Sequence, residues 1–130
     1  MVRLLSSSGG LAAALLVAGA PGLSWAAVGN PGAGRGVFTT QCSACHSDAR
    51  SRPTIVGPPL FGVVGRQAGA VSGYPYSTAM RSAGFAWTPD RLRSYLPAPR
   101  DYLPGVRMTY GGLKNTVQLD DLIAYLQTLK

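Results

Sequence analysis

Leu119, Leu122, Ile123, Leu126 and Leu129 recur at intervals that lay apolar side chains along one face of an α-helix. Ahead of them Asn115 and Gln118 resemble a capping box. Asp120 and Asp121 fall in the early turns, where the helix dipole favours acids, and Lys130 closes the helix. Further upstream, Thr88-Pro89-Asp90 supplies an N-cap, a first-turn proline and an acid, and predicts a helix running to Leu96 and stopping at Pro97. Ser77 to Ala83 reads as a brief helix ending at Gly84. Gly34 to Thr40 reads as another short helix, with Val37 and Phe38 as its apolar face. A glycine in a helix costs about 1 kcal/mol relative to alanine, so Gly34 and Gly36 suggest close backbone packing there.

Between these pieces, Ser47 to Gly73 is rich in Gly, Pro and Arg and has neither helical nor strand periodicity. So long an irregular segment is unusual inside a small domain unless it wraps something. No alternating pattern predicts a strand, so the expected class is all-α with about 4–5 helices and long loops.

The first 26 residues carry a different pattern. Arg3 supplies a charged start, Leu11 to Ala20 an apolar run, and Ser24-Trp25-Ala26 a small-x-small cleavage site, so residues 1–26 read as a secretory signal with the mature domain at 27–130. An uncleaved anchor would need about 20 apolar residues. Ser6 to Gly10 interrupts that run. No later stretch is long or apolar enough to span a bilayer, and no repeat or linker divides the remainder, which predicts one exported, soluble domain with too few residues for a generous apolar core.

Charge narrows the partners. The formal net charge is +7, with twelve basic residues against five acids. The arginines form no run or helical stripe, and export makes nucleic acid an improbable partner. A basic exported protein is better suited to docking on an acidic patch of another protein, where complementary fields accelerate encounter.

The chemistry is concentrated in Cys42-Ser43-Ala44-Cys45-His46, which holds the only two cysteines and the only histidine of the chain. C-x-x-C-H is the covalent haem attachment pattern: two thiols two residues apart can add to the two vinyl groups of one haem, and the adjacent imidazole becomes an axial ligand. Other readings fit less well. A structural zinc site needs about four Cys or His ligands, more than the chain contains. A thioredoxin-like dithiol should follow a strand in a βαβ unit, which the pattern lacks. A disulfide closing so short a loop would constrain little of the unfolded chain.

With no second histidine, methionine sulfur is the usual candidate for the other axial position, and the mature chain has Met80 and Met108. Met80 falls in a helical segment, where a flexible core filler is the ordinary role. Met108 lies in the irregular stretch Pro104-Gly105-Val106-Arg107-Met108, free to present its side chain to a metal, and is the stronger candidate. Met80 or an open site remains the alternative.

These residues closely resemble class I cytochrome c, the mitochondrial and cytochrome c2 branch. The resemblance runs from Gly34 to the C-terminus through Gly34 and Phe38, Cys42 to His46, Gly57-Pro58-Pro59-Leu60, Gly65-Arg66, Tyr74 to Ser77, Trp87, Tyr95-Leu96, Pro104 to Met108, and Asp121 to Leu126. It implies a small monohaem cytochrome c fold wrapped around one covalently bound haem c. Cys42 and Cys45 would hold the haem, with His46 and Met108 as axial ligands to its iron. Pro58 would place its carbonyl against the imidazole of His46, and Arg66, Tyr76 and Trp87 would surround the buried propionates. Tyr95 would lie near the Met108 sulfur. Gly34, Phe38, Leu122 and Tyr125 would form the crossing of first and last helices.

The chain also departs from mitochondrial members. Val106 replaces a hydroxyl residue, Met80 an asparagine, and Gln41 a lysine of the docking ring. Arg35, Arg100, Arg107 and Lys114 remain as a candidate docking rim.

The expected function is a periplasmic single-electron carrier, monomeric and not an enzyme. Its partners would be acidic-faced redox proteins such as a terminal oxidase, a bc1-type complex, a reaction centre or a periplasmic dehydrogenase. The alternatives are a cytochrome subunit held permanently by such a dehydrogenase, and a haem sensor or peroxidase-like protein with an open axial site.

Overall fold

Asn30 caps the first helix. Its side-chain oxygen accepts from the amides of Gly32 at 2.8 Å and Ala33 at 3.1 Å, and Pro31 fills the first helical position. Helix α1 therefore spans Pro31–Gln41, starting three residues before the expected Gly34. The Asn30-Pro31 pair was the signal that marked the true start. The structure, a computed structural model, describes residues 29–130. The secretory signal at 1–26 and the start at Ala27 lie outside the described residues.

Four further helices follow: α2 Thr78–Arg81, α3 Pro89–Tyr95, α4 Pro99–Tyr102 and α5 Thr116–Thr128. The expected elements at Ser77–Ala83 and Thr88–Leu96 are present but shorter, because Ser77 and Thr88 are N-caps and Ser82 and Leu96 are C-caps. Thr88 accepts from the amide of Arg91 at 3.2 Å, as its N-cap reading requires. Gly84, expected to cap α2, lies two residues past the actual cap. Helix α4 was not anticipated: it is one turn with no side-chain cap, and Pro97 and Pro99 read locally as breakers. Among the described residues there is no strand, only an isolated bridge between Gln67 and Ala86 inside otherwise irregular chain.

The α1–α5 crossing is the main helix–helix contact. A Cβ on Gly34 would come within 1.9 Å of the Asp121 carbonyl oxygen and 2.8 Å of the Tyr125 Cβ, so only glycine permits this approach. Phe38 packs on Tyr125 with ring centroids 5.8 Å apart. Gly36, by contrast, faces open space. The two acids of α5 are tethers: Asp121 accepts from the Asn30 amide at 2.6 Å, and Asp120 pairs with Arg93 of α3 at 2.8 Å. Leu119, Leu122, Ile123 and Leu126 are buried, as the apolar spacing predicts. They join Phe38, Trp87, Leu92, Tyr95 and Leu96 in one core, which forms one side of a large cavity.

Candidate haem-binding site

Helix α1 ends at Gln41, and the chain turns at once through the C-x-x-C-H residues. The amides of Cys45 and His46 both bond to the Cys42 carbonyl, at 3.1 and 2.9 Å, and this turn brings Cys42, Cys45 and His46 to one edge of a cavity of about 450 Å³. Both thiols are free. Burial, reinforced by Cys45, pushes the Cys42 thiol up to about 11, so it stays protonated at neutral pH. That is the reverse of a reactive dithiol, whose attacking cysteine is lowered.

His46 is fixed from its far side. Its Nδ1 lies 2.7 Å from the Pro58 carbonyl oxygen, which can only accept, so Nδ1 carries the proton and Nε2 keeps its lone pair. Burial lowers the imidazole's affinity for a second proton, which keeps the ring neutral and able to bind a metal. Gly57 gives the ring its place. A Cβ there would stand 2.4 Å from Cε1, while the Gly57 amide bonds to the Cys45 carbonyl at 2.7 Å.

Met108 lines the same cavity from the irregular stretch between α4 and α5. The Tyr95 hydroxyl donates to its sulfur at 3.4 Å, and burial pushes that hydroxyl up to about 12, so it remains a donor. Met80 also lines the cavity, from the single turn of α2.

Arg66, Tyr76 and Trp87 complete the predicted set and all line the cavity. Arg66 donates to the carbonyls of Pro59 at 2.8 Å and Phe61 at 3.2 Å. Among the described residues the ion pairs are those of Arg93 with Asp90 and Asp120, so Arg66 has no carboxylate partner. Tyr76 accepts from the Val71 amide at 3.2 Å, and Trp87 packs on Tyr95 with centroids 4.8 Å apart. The structure thus brings Cys42, Cys45, His46, Pro58, Arg66, Tyr76, Trp87, Tyr95 and Met108 to one cavity.

This lining suits a haem. Its walls are mainly apolar, two thiols and a neutral imidazole stand at one edge, a thioether faces the same space, and an uncompensated guanidinium offers a site for anionic groups. Gln41, Ser77 and Tyr110 also line it and had not been assigned a role. An aromatic hydroxyl two residues beyond Met108 was the available signal for Tyr110.

The family model "Cytochrome c" matches residues 32–130. The chain belongs to the cytochrome c family. Cytochrome c2 of Rhodopila globiformis is 45% identical over 102 residues, covering 78% of this chain and 95% of the relative. Cytochrome c of Gibberella zeae is 42% identical over 94 residues, covering 72% of this chain and 89% of the relative. Among solved structures, cytochrome cH from Methylobacterium extorquens aligns with a TM-score of 0.71 and 38% identity, covering 77% of this chain and 99% of that one. Cytochrome c proteins bind covalent haem c and transfer electrons; they are not enzymes, and Cys42 to His46 carries the attachment motif. In this cytochrome c, no helix among the described residues is long and apolar enough to cross a membrane.

Proposed function

We propose that residues 27–130 act in the bacterial periplasm as a monomeric single-electron carrier, after removal of residues 1–26 as a signal. Cys42 and Cys45 would hold haem c by thioether bonds, and His46 and Met108 would supply the ligands to its iron. The supporting observation is the single cavity that gathers both thiols, an imidazole with Nε2 free and a thioether steadied by Tyr95. When bound, haem c supplies the iron that cycles between ferric and ferrous states.

The chain's own residues set the conditions for that cycle. Pro58 fixes the imidazole plane and its basicity through Nδ1, as hydrogen-bonded outer partners of metal ligands do. The apolar walls would shield a bound haem from water, and the Arg66 guanidinium, with Tyr76 and Trp87, would surround its propionates. The Pro58 carbonyl and the Tyr95 hydroxyl would hold the His46 imidazole and the Met108 sulfur in place in both oxidation states.

Arg35, Arg100, Arg107 and Lys114 form the docking rim for acidic-faced redox proteins: a terminal oxidase, a bc1-type complex, a reaction centre or a periplasmic dehydrogenase. Complementary charge of this kind acts mainly on the rate of encounter.

The test is the optical spectrum of the purified holoprotein, followed by carbon monoxide addition after reduction. A weak far-red band that disappears in Met108→Ala, with no carbon monoxide binding by the wild type, supports the closed carrier. A missing band with ready carbon monoxide binding overturns it in favour of an open-site sensor or peroxidase-like protein. Purification with a tightly held dehydrogenase would overturn the free carrier instead.

A further inference from the structure

The stretch that carries Met108 has little backbone support. Among the described residues, positions 107–112 make no backbone–backbone hydrogen bond, although Val106 and Leu113 on either side do. The segment is a strap held by side chains. Arg107 donates to the Pro75 carbonyl at 2.8 Å, Arg100 Nε to the Met108 carbonyl at 3.4 Å, and Tyr95 to the Met108 sulfur. The fourth tie is different in kind. The Tyr110 hydroxyl donates to Gln41 Oε1 at 3.2 Å, and Gln41 directly precedes Cys42. Among the described residues this is the one hydrogen bond joining the 107–112 strap to the chain that carries Cys42, Cys45 and His46. Gln41 is exposed, Tyr110 is half-buried, and both line the cavity, so the bond lies at its rim.

We infer that Gln41 and Tyr110 form a latch across the rim of the haem cavity, with Tyr110 a positioning residue that keeps the strap closed, Met108 at the iron and small ligands outside. The inference rests on Met108 being the second axial ligand, as proposed above. Opening the strap far enough to free Met108 separates Tyr110 from the end of α1, so the latch bond must break in the open form. Among the described residues no other hydrogen bond ties those two edges, and local openings of this kind are governed by the few bonds that cross them. A neutral hydrogen bond at such a rim shifts the open population by about 2- to 10-fold, enough to alter ligand entry without unfolding the core.

Imidazole is the probe, titrated spectrophotometrically into the ferric holoprotein, where it competes with Met108. The proteins are wild type, Tyr110→Phe, Gln41→Leu, their double variant, and Gln41→Glu. Each single loss of the bond should raise imidazole affinity by about 2- to 10-fold, and the double variant should rise no further than either single one. Gln41→Glu keeps an acceptor oxygen, now charged and stronger, and should hold imidazole affinity at or below the wild-type value. Exchange of the Val106 and Leu113 amides, the hydrogen-bonded ones at the two ends of the strap, should accelerate in the latch variants, while the global denaturation midpoint stays put. Unchanged affinity in either single variant, additive effects in the double one, or Gln41→Glu behaving like Gln41→Leu would overturn the latch. These results are separable from failure of the ligand assignment: if the wild type lacks the far-red band, Met108 is not at the iron and both readings fall, whereas a normal band with unchanged imidazole affinity removes the latch alone.

Discussion

His46 is held from two directions, by the Pro58 carbonyl 2.7 Å from Nδ1 and by the bare backbone of Gly57 beside the ring. A methyl group at 57 would stand 2.4 Å from Cε1, and the ring and the Gly57 amide are each held by a hydrogen bond, to the carbonyls of Pro58 and Cys45. Gly57→Ala should therefore turn the imidazole, weaken the far-red band and destabilise the holoprotein by about 1–3 kcal/mol, the usual cost of overpacking; spectra and thermal melts check both effects. Tyr125 shows how a single hydroxyl links stability to pH. Burial, together with Asp48 accepting from it at 2.5 Å, pushes this hydroxyl up to about 12 from its ordinary value of 10.0. Its folded-state pKa is raised, so its contribution is fully present below pH 10 and is lost as the pH climbs from 10 to about 12. In denaturant titrations the advantage of wild type over Tyr125→Phe should be constant up to pH 10 and shrink through that window. A gap that widens with pH would refute this account.

Helix α1 carries two glycines that periodicity could not tell apart, although the family resemblance singled out Gly34 for the helix crossing. Gly34 sits where α1 meets α5 and has no room for a Cβ, while Gly36 faces open space. Gly34→Ala should force the helices apart, at a cost of about 3 kcal/mol or more, because the clashing atoms are backbone. Gly36→Ala should instead stabilise by about 0.5–1 kcal/mol, through ordinary helix propensity. Chemical denaturation of the two holoproteins checks both signs. Local signals were legible where one residue did the work: Asn115 accepts from the Gln118 amide at 3.0 Å and Thr88 caps α3, as their positions suggested. Other roles depended on partners far along the chain. Asp120 and Asp121 look like acids complementing a helix dipole, yet Asp121 anchors the entry to α1, ninety-one positions away, and Asp120 pairs with Arg93 of α3. Helix α4 was missed because a single turn between prolines has no periodicity to reveal it.

At the scale of the whole molecule, the core is built around the cofactor site. Core residues including Val63, Trp87, Leu92, Leu122 and Leu126 also line the cavity of about 450 Å³. Without the haem those apolar walls would face water and lose the packing partner that fills the site, a large loss for a small domain whose entire stability is about 5–15 kcal/mol. The haem-free protein, made as Cys42→Ala/Cys45→Ala, should therefore lose its near-ultraviolet circular dichroism and most of its helical signal at 25 °C, while the holoprotein keeps both. Cooperative, native-like unfolding of the haem-free chain would contradict the idea that the haem completes the core. The same dependence accounts for the long irregular segment before α2, which packs around the site instead of forming periodic structure of its own.

The sequence by itself determined the attachment chemistry, the all-α class and the main helices, because thiol spacing, caps and apolar periodicity are local properties of a few consecutive residues. It also carried the family resemblance, through motifs whose order and spacing can be read along the chain. The resemblance implied that Pro58 meets His46, that Tyr95 lies near the Met108 sulfur and that Gly34 packs at the helix crossing; only the tertiary structure decided that Nδ1 meets the carbonyl and leaves Nε2 free, that the Tyr95 hydroxyl donates to the sulfur, that Gly36 faces open space, and that Gln41 meets Tyr110 across the cavity rim. Each of these depends on atoms brought together from distant positions, where no local pattern specifies distance or direction.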